Sequence, residues 1–309
     1  TEMSKRIKKA FAILMALVMV FAMSTTAFAL ADDSAKYTQA AKDNAPTVTG
    51  EFTVYLSISS NQVNGKYIND YKIPVTMGAA GVTKAYFVKD VILAAMNQAG
   101  FPYAFKSKKA GEIVDFNADS DYVYGIACTD SEGTTLFEPV TDYNNYNGWM
   151  FRIDDRYPML NSADWPSGWT SAKGPCGASI EQAYVKAGQT ISFYFSDTAS
   201  ADNATRFLKI KSKAYTEATS KLTINIKTSY SYYRDSDWYW FVYDFTNAAA
   251  GNTMTVKVNG TSYEATTSSG KIIIQNFTLA SGTNTIEIMP IFNASGIPTF
   301  SGAYYTWTN

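Results

Sequence analysis

Beyond its leader, one stretch of this chain repeats its apolar residues at the helical period. In Val88–Ala99, residues Val88, Val91, Ile92, Ala95 and Met96 fall at i, i+3, i+4, i+7 and i+8, on one face of a helix. Gly100 then stands where a C′ glycine would close the helix, and Pro102 prevents its continuation. The other patterned stretches alternate with period two, so the chain must fold mainly as sheet, with one helix to cover a face.

In the first half, Glu51–Ser57 alternates Phe52, Val54 and Leu56 against Thr53, Tyr55 and Ser57, a half-buried strand. Asn64-Gly65 marks a turn, Tyr67–Val75 supplies a second strand, and Tyr122–Cys128 alternates again after a basic loop at Lys106–Gly111. Two further strands are expected to pair. In Gly148–Pro158 (GWMFRIDDRYP), Trp149, Phe151 and Ile153 alternate up to a break at Asp154-Asp155. In Val185–Phe195, a turn around Gly188 feeds Ile191, Phe193 and Phe195, which point one way. The second half reads as short strands at Arg206–Lys211, Lys221–Lys227, Trp238–Phe245, Thr253–Val258, Lys271–Phe277, Thr283–Ile291 and Gly302–Trp307. Asn259-Gly260, Ser269-Gly270, Ser281-Gly282 and Ser295-Gly296 punctuate them. That pattern predicts an all-β immunoglobulin-like sandwich. The expected class is therefore mainly β / α+β, with a one-helix domain at 50–198 and a sandwich domain at 199–309.

The N-terminus predicts export. Lys5, Arg6, Lys8 and Lys9 precede an apolar run, Ala10–Met23, and an A-x-A site ending at Ala29. The run is about 14 residues, short of the ~20 a membrane span requires, so a cleaved signal over 1–29 is expected rather than an anchor. Membrane contact is then expected through the export signal only, with a secreted or surface-associated product. Residues 30–49 are small or polar and read as a linker.

Composition excludes more than it selects. Four basic groups and one acidic group fall in 1–29, leaving 22 basic and 26 acidic residues, which gives no basic face for nucleic acid. Histidine is absent, and with it the commonest general base and zinc ligand and every Ser-His or Cys-His nucleophile pair. Two cysteines are too few for thiolate zinc sites or iron–sulfur clusters. No metal and no catalytic residue is expected, and the chain reads as a non-enzyme; a carboxylate-only glycosidase is the one mechanism that passes this filter.

The motifs of the first half resemble the transcobalamin-like C-terminal domain, a β-grasp-related ligand-binding family. Lys89-Asp90-Val91-Ile92-Leu93 is similar to its helix motif, Tyr124-Gly125-Ile126 to its Gly-Ile strand, Gly148–Asp155 to its GWM hairpin and Gly188–Ile191 to its closing strand. The family's Asn-Gly turn is Asp154-Asp155 here, which predicts a longer turn or one of another type. Its Gly-Asp is Gly188-Gln189, and Asn161–Tyr184 is an insertion. The resemblance implies capture of a small ligand, with a corrinoid as precedent; no other cofactor is expected, and without histidine the cobalt cannot be ligated by an imidazole. In the second half, Leu279–Ile288 resembles the penultimate strand of bacterial Ig-like surface domains, an architectural likeness without a ligand.

The insertion is the expected site. Trp165 and Trp169 lie in a Pro/Gly/Ser-rich stretch, and with Tyr146 and Tyr157 they are candidates to stack on a sugar or planar ligand; the alternative is that both tryptophans pin the loop. In an exported protein Cys128 and Cys176 are expected to pair, closing a loop of about 48 residues for about 4 kcal/mol, against the alternative of two buried thiols. The carboxylates at Asp119, Asp121, Asp154, Asp155 and Asp164 read as turn residues. Trp238–Tyr243 carries aromatics on both faces, either covered or a sugar platform. The function expected is non-catalytic capture of a small molecule or glycan; the alternatives are a carbohydrate-binding module or an adhesive module that contacts other surface proteins.

Overall fold

The structure is a computed structural model and describes residues 33–142, 145–160, 176–234 and 239–309. Trp165, Trp169, Tyr143, Asp164 and Trp238 lie outside the described residues. Residues Ala35–Asn309 form one contact unit, built as two lobes with separate apolar cores.

The first lobe runs β1 (Lys36–Thr38), β2 (Val48–Thr49), β3 (Phe52–Ser59), β4 (Asn69–Met77), β5 (Thr83–Lys84), α1 (Val88–Asn97), β6 (Tyr103–Lys109), β7 (Glu112–Asp115), β8 (Gly125–Thr129), β9 (Thr135–Phe137), β10 (Asn147–Ile153), β11 (Tyr157–Leu160), β12 (Cys176–Gly177) and β13 (Thr190–Asp197). Its main sheet has the order β10-β13-β3-β4, with β13 and β3 parallel at the centre and the other pairs antiparallel. A parallel central pair formed by an early and a late strand, with one helix between them, is a β-grasp-like arrangement. The alternating residues Val54, Leu56 and Ile58 of β3 and Ile191 and Phe193 of β13 meet Val88, Val91, Ile92 and Ala95 of α1 in one core. The second sheet, β7-β6-β8-β9, adds Phe105 and Ile126.

The helix stops before its expected glycine. Asp90 Oδ2 accepts from the Phe87 N–H at 2.9 Å at the start, but Gln98 leaves helical geometry two residues ahead of Gly100. The Gln98 amide donates to the Pro74 carbonyl (3.0 Å) and its Oε1 accepts from the Thr76 N–H (3.2 Å), bonds to β4 that replace a last helical turn.

The pairing of Gly148–Pro158 with Val185–Phe195 is present in full register, Asn147 opposite Asp197 through to Ile153 opposite Ile191. The turn after β10 corrects the expectation for Asp154-Asp155. It is a two-residue turn with both aspartates at positive φ (+49° and +66°), and Ile153 and Arg156 exchange backbone hydrogen bonds across it (2.9 and 3.0 Å). The Asp154 carboxylate holds this geometry by accepting from the Thr190 N–H (2.9 Å) and the Gln189 amide (3.0 Å). Asp155 has no such bond and lies 4.0 Å from Lys209, a half-exposed pair of little weight. Asp155→Gly is therefore expected to stabilise the protein by about 0.5 kcal/mol, read as a higher urea midpoint at unchanged m.

Residues 35–49, expected as linker, belong to the fold. β1 adds in parallel to β11, and β2 pairs with β5. Ala35 is buried in a third apolar cluster, and Gln39 is tied to Tyr184 through both its amide atoms (3.1 and 3.0 Å).

The second lobe runs β14 (Phe207–Thr216), β15 (Lys221–Ser229), β16 (Ser231–Arg234), β17 (Tyr239–Val242), β18 (Thr246–Asn247), β19 (Thr253–Val258), β20 (Thr261–Thr266), β21 (Lys271–Ile274), β22 (Thr283–Ile288), β23 (Ile291–Phe292), β24 (Pro298–Phe300) and β25 (Ala303–Thr308). Two antiparallel sheets, one of β14, β15, β18 and β21 and one ordered β20-β19-β22-β25, enclose Ile224, Ile226, Val256, Ile272, Ile286 and Ile288. This is the expected β-sandwich. Asn259-Gly260 is the turn of the β19–β20 hairpin, with φ +50° and +81°.

The lobes meet on a third core of Met150, Tyr157, Met159 and Tyr194 from the first and Phe207, Val242 and Phe245 from the second. Arg152 on β10 lies fully buried within it. Its guanidinium donates to the Ser229 hydroxyl (3.0 Å) and the Asp155 carbonyl (3.2 Å) and sits 4.5 Å over the Phe207 ring. At the other end of the junction the Gly302 N–H donates to Ser59 Oγ (3.1 Å), and Tyr71 stacks on Tyr304 (5.4 Å).

Candidate functional site

β10 is the edge strand of the main sheet, and its two faces have different neighbours. Met150 and Arg152 turn towards the lobe junction; Trp149 and Phe151 turn towards the first core but remain half-buried. The chain at 139–142 passes beside this edge: the Thr141 N–H donates to the Tyr124 carbonyl (2.8 Å), and Asp142 bridges to Asn147. Gly148 permits that approach, since a Cβ there would lie 3.1 Å from the Thr141 side chain.

Between these elements opens a cleft of about 530 Å³. Asn147, Trp149 and Phe151 of β10 and Phe193 of β13 line it, with Tyr122 and Val123 before β8, Ile180 after β12, and Tyr233 of β16 from the second lobe. Each aromatic wall has a defined support. The Trp149 indole donates to the Pro139 carbonyl (3.1 Å) and meets Phe195 edge-on (5.6 Å); Phe151 leans on Phe193 (5.9 Å), which meets Phe105 (5.3 Å). Tyr146 also lines the cleft, exposed and at φ +55°. Its carbonyl holds it there by accepting from both the N–H (3.0 Å) and the hydroxyl (2.6 Å) of Thr198. A non-glycine residue held in the left-handed region is a recurrent feature of ligand clamps.

The expected site residues separate. Tyr146 reaches the cleft. Tyr157 does not stand at a rim: it is buried in the junction core, with its ring against Gly177, where a Cβ would fall 2.6 Å from the phenol oxygen. Trp149 and Phe151, expected as core, are instead the cleft's wall. Alternation gave their face correctly, but not that part of this face lies open at the sheet edge. Asn147 and Tyr233 carried no signal of their own; Tyr233 arrives only because the lobes pack.

The expected Cys128–Cys176 disulfide is not formed. Cys128 is a free thiol on β8, paired across strands with Tyr103 and Phe137, whereas the backbone of Cys176 pairs with Leu160 in a different sheet. Burial, and secondarily Asp70, push the Cys128 thiol up, which keeps it protonated and inert. The same Asp70 accepts a short hydrogen bond from Tyr103, whose phenol is raised first by burial and then by that bond.

Among the described residues of the aromatic stretch at 238–243, Tyr243 stacks on Tyr230 (4.4 Å, 11°) and Phe241 on Tyr232 (5.3 Å, 16°), while Val242 is buried in the junction core. Arg206 lies 3.8 Å over Tyr230. The ring faces of this ladder are largely occupied by one another, which disfavours a flat sugar platform there.

Neither a family model, nor a curated protein, nor a solved structure matches the chain, which leaves the transcobalamin-like likeness resting on its quoted motifs.

Proposed function

We propose that this is an exported, non-catalytic binding protein whose first lobe captures a small, largely apolar ligand in the cleft beside β10. The observation that carries this reading is the cleft itself: about 530 Å³, walled by supported aromatic rings, with a few polar groups at fixed positions. Size and lining both fall in the range of small-molecule sites. Asp121 is the one acid among the described lining residues, so a pair of carboxyls flanking a scissile bond finds no support there. The β-grasp-like lobe agrees with the transcobalamin-like resemblance, but a corrinoid has only that resemblance behind it. Export and a surface location rest on the leader at residues 1–29.

A thermal-shift screen of the protein against small organic molecules, corrinoids and glycans tests this reading. A ligand present at 100 times its Kd is expected to add about 2.7 kcal/mol of stability and to change tryptophan emission through Trp149. The shift is expected to fall in Tyr146→Ala. A screen without any shift, or a shift that Tyr146→Ala and Phe151→Leu both leave intact, would place the function elsewhere.

A further inference from the structure

The polar groups of the cleft are of one kind, and this deepens the small-ligand reading, on which it rests. Asp121 supplies the one charge among the described lining residues; no lysine or arginine lines the cleft there. Asp121 is exposed and makes no ion pair among the described residues. Asn147 Oδ1 is buried and accepts no hydrogen bond, although the backbone of Asn147 is held by Asp142 and by its cross-strand neighbour Asp197. Buried carbonyl oxygens ordinarily have a donor, so this one awaits something that donates. The surrounding rings of Trp149, Phe151, Tyr122, Tyr146 and Tyr233 present π-systems whose faces attract cations.

Each ligand class meets this lining differently. An anion would find an acceptor and a carboxylate, both repulsive. A purely apolar molecule would fill the volume and leave Asn147 Oδ1 unsatisfied. A cation bearing N–H groups suits all three features. We infer that the cleft takes a protonated amine carried on an apolar or aromatic body, with its N–H donating to Asn147 Oδ1 and its charge favoured by Asp121 and the ring faces. Asp197, opposite Asn147 across the strands, has its carboxyl pushed up by burial, and a cation near it would supply the compensating charge that the protein does not.

Three probes of one shape separate the classes: 2-phenylethylammonium, 3-phenyl-1-propanol and 3-phenylpropionate, each titrated into the full protein and followed by tryptophan emission and melting temperature. The ammonium is expected to bind about fivefold more tightly than the alcohol and at least about tenfold more tightly than the carboxylate. Asp121→Asn is expected to weaken the ammonium about threefold and to leave the alcohol within about twofold. Should the alcohol or the carboxylate bind as well as the ammonium, the preference for a cation is wrong while small-ligand capture stands. Should none of the three bind, nor an apolar dye such as anilinonaphthalenesulfonate, both readings fall.

Discussion

Arg152→Ala is expected to destabilise the protein by about 4 kcal/mol, the largest effect of any single truncation on β10. The side chain is fully buried between the lobes, so its removal leaves a void the size of a long side chain in a packed junction, a loss comparable to truncating a core aromatic. The Ser229 hydroxyl loses its guanidinium donor, keeping only its own bond to the Tyr243 carbonyl (2.6 Å), and the Asp155 carbonyl loses a charged donor. The rings of Phe207, Tyr194 and Phe245, at 4.5, 5.8 and 5.7 Å from the guanidinium carbon, lose the cation they surround. Arg152→Met separates volume from charge. It fills most of the space and removes the cost of burying an ion, so its penalty is expected to be under about 2 kcal/mol. Arg152→Lys keeps a charge without the planar fork and is expected to be worse than Met. Urea unfolding of the three variants decides the matter: equal losses for Ala and Met would mean that packing is not what Arg152 supplies.

Arg152 also shows where the sequence could be read and where it could not. Trp149, Phe151 and Ile153 alternate so regularly that the strand, its partner Val185–Phe195 and the helix at Val88 follow from periodicity alone. The same alternation places Arg152 on the polar side, and the natural inference from an arginine between aromatics is solvent. A period of two identifies two faces but says nothing about what covers the second. That information lies more than seventy residues away, in Phe207, Ser229 and Phe245, and no local pattern carries it. The same reason explains Tyr157, expected at a rim and found in the junction core. It also explains residues 35–49, whose polar composition hides a strand that pairs through its backbone. The candidate site was half legible. Tyr146 stood out as an aromatic beside a turn, whereas Asn147 and Tyr233 become lining residues only once the sheet edge and the second lobe are in place. The Asp154-Asp155 turn inverts the lesson: the residue types argued against a tight turn, and two side-chain hydrogen bonds from Asp154 hold one in place.

Gly302→Ala is expected to cost about 2 to 3 kcal/mol, and Gly302→Val more, although neither substitution meets a backbone restriction. A Cβ at Gly302 would fall 2.0 Å from the Tyr71 phenol oxygen and 2.1 Å from Asn69 Oδ1, well inside van der Waals contact with two buried polar groups. Those groups cannot simply swing away. Tyr71 Oη donates to Asn69 Oδ1 at 2.7 Å, its ring is stacked on Tyr304, and burial raises its phenol far above the ordinary range, so displacing the pair breaks a hydrogen bond inside the junction. Gly282 supplies the control. Its φ is +87° with nothing within 4 Å of a built Cβ, so Gly282→Ala is expected to cost only the conformational strain, about 1 kcal/mol. The two glycines can be told apart by coupling. In a Tyr71→Phe, Asn69→Ala background the space at Gly302 is relieved, and Gly302→Ala is expected to recover at least about 1 kcal/mol relative to its cost in the native chain. Gly282→Ala is expected to cost the same in both backgrounds. If relieving Tyr71 and Asn69 leaves the Gly302→Ala penalty unchanged, the close approach of β4 to the start of β25 is not what requires a glycine, and the junction between the lobes is looser than its distances indicate.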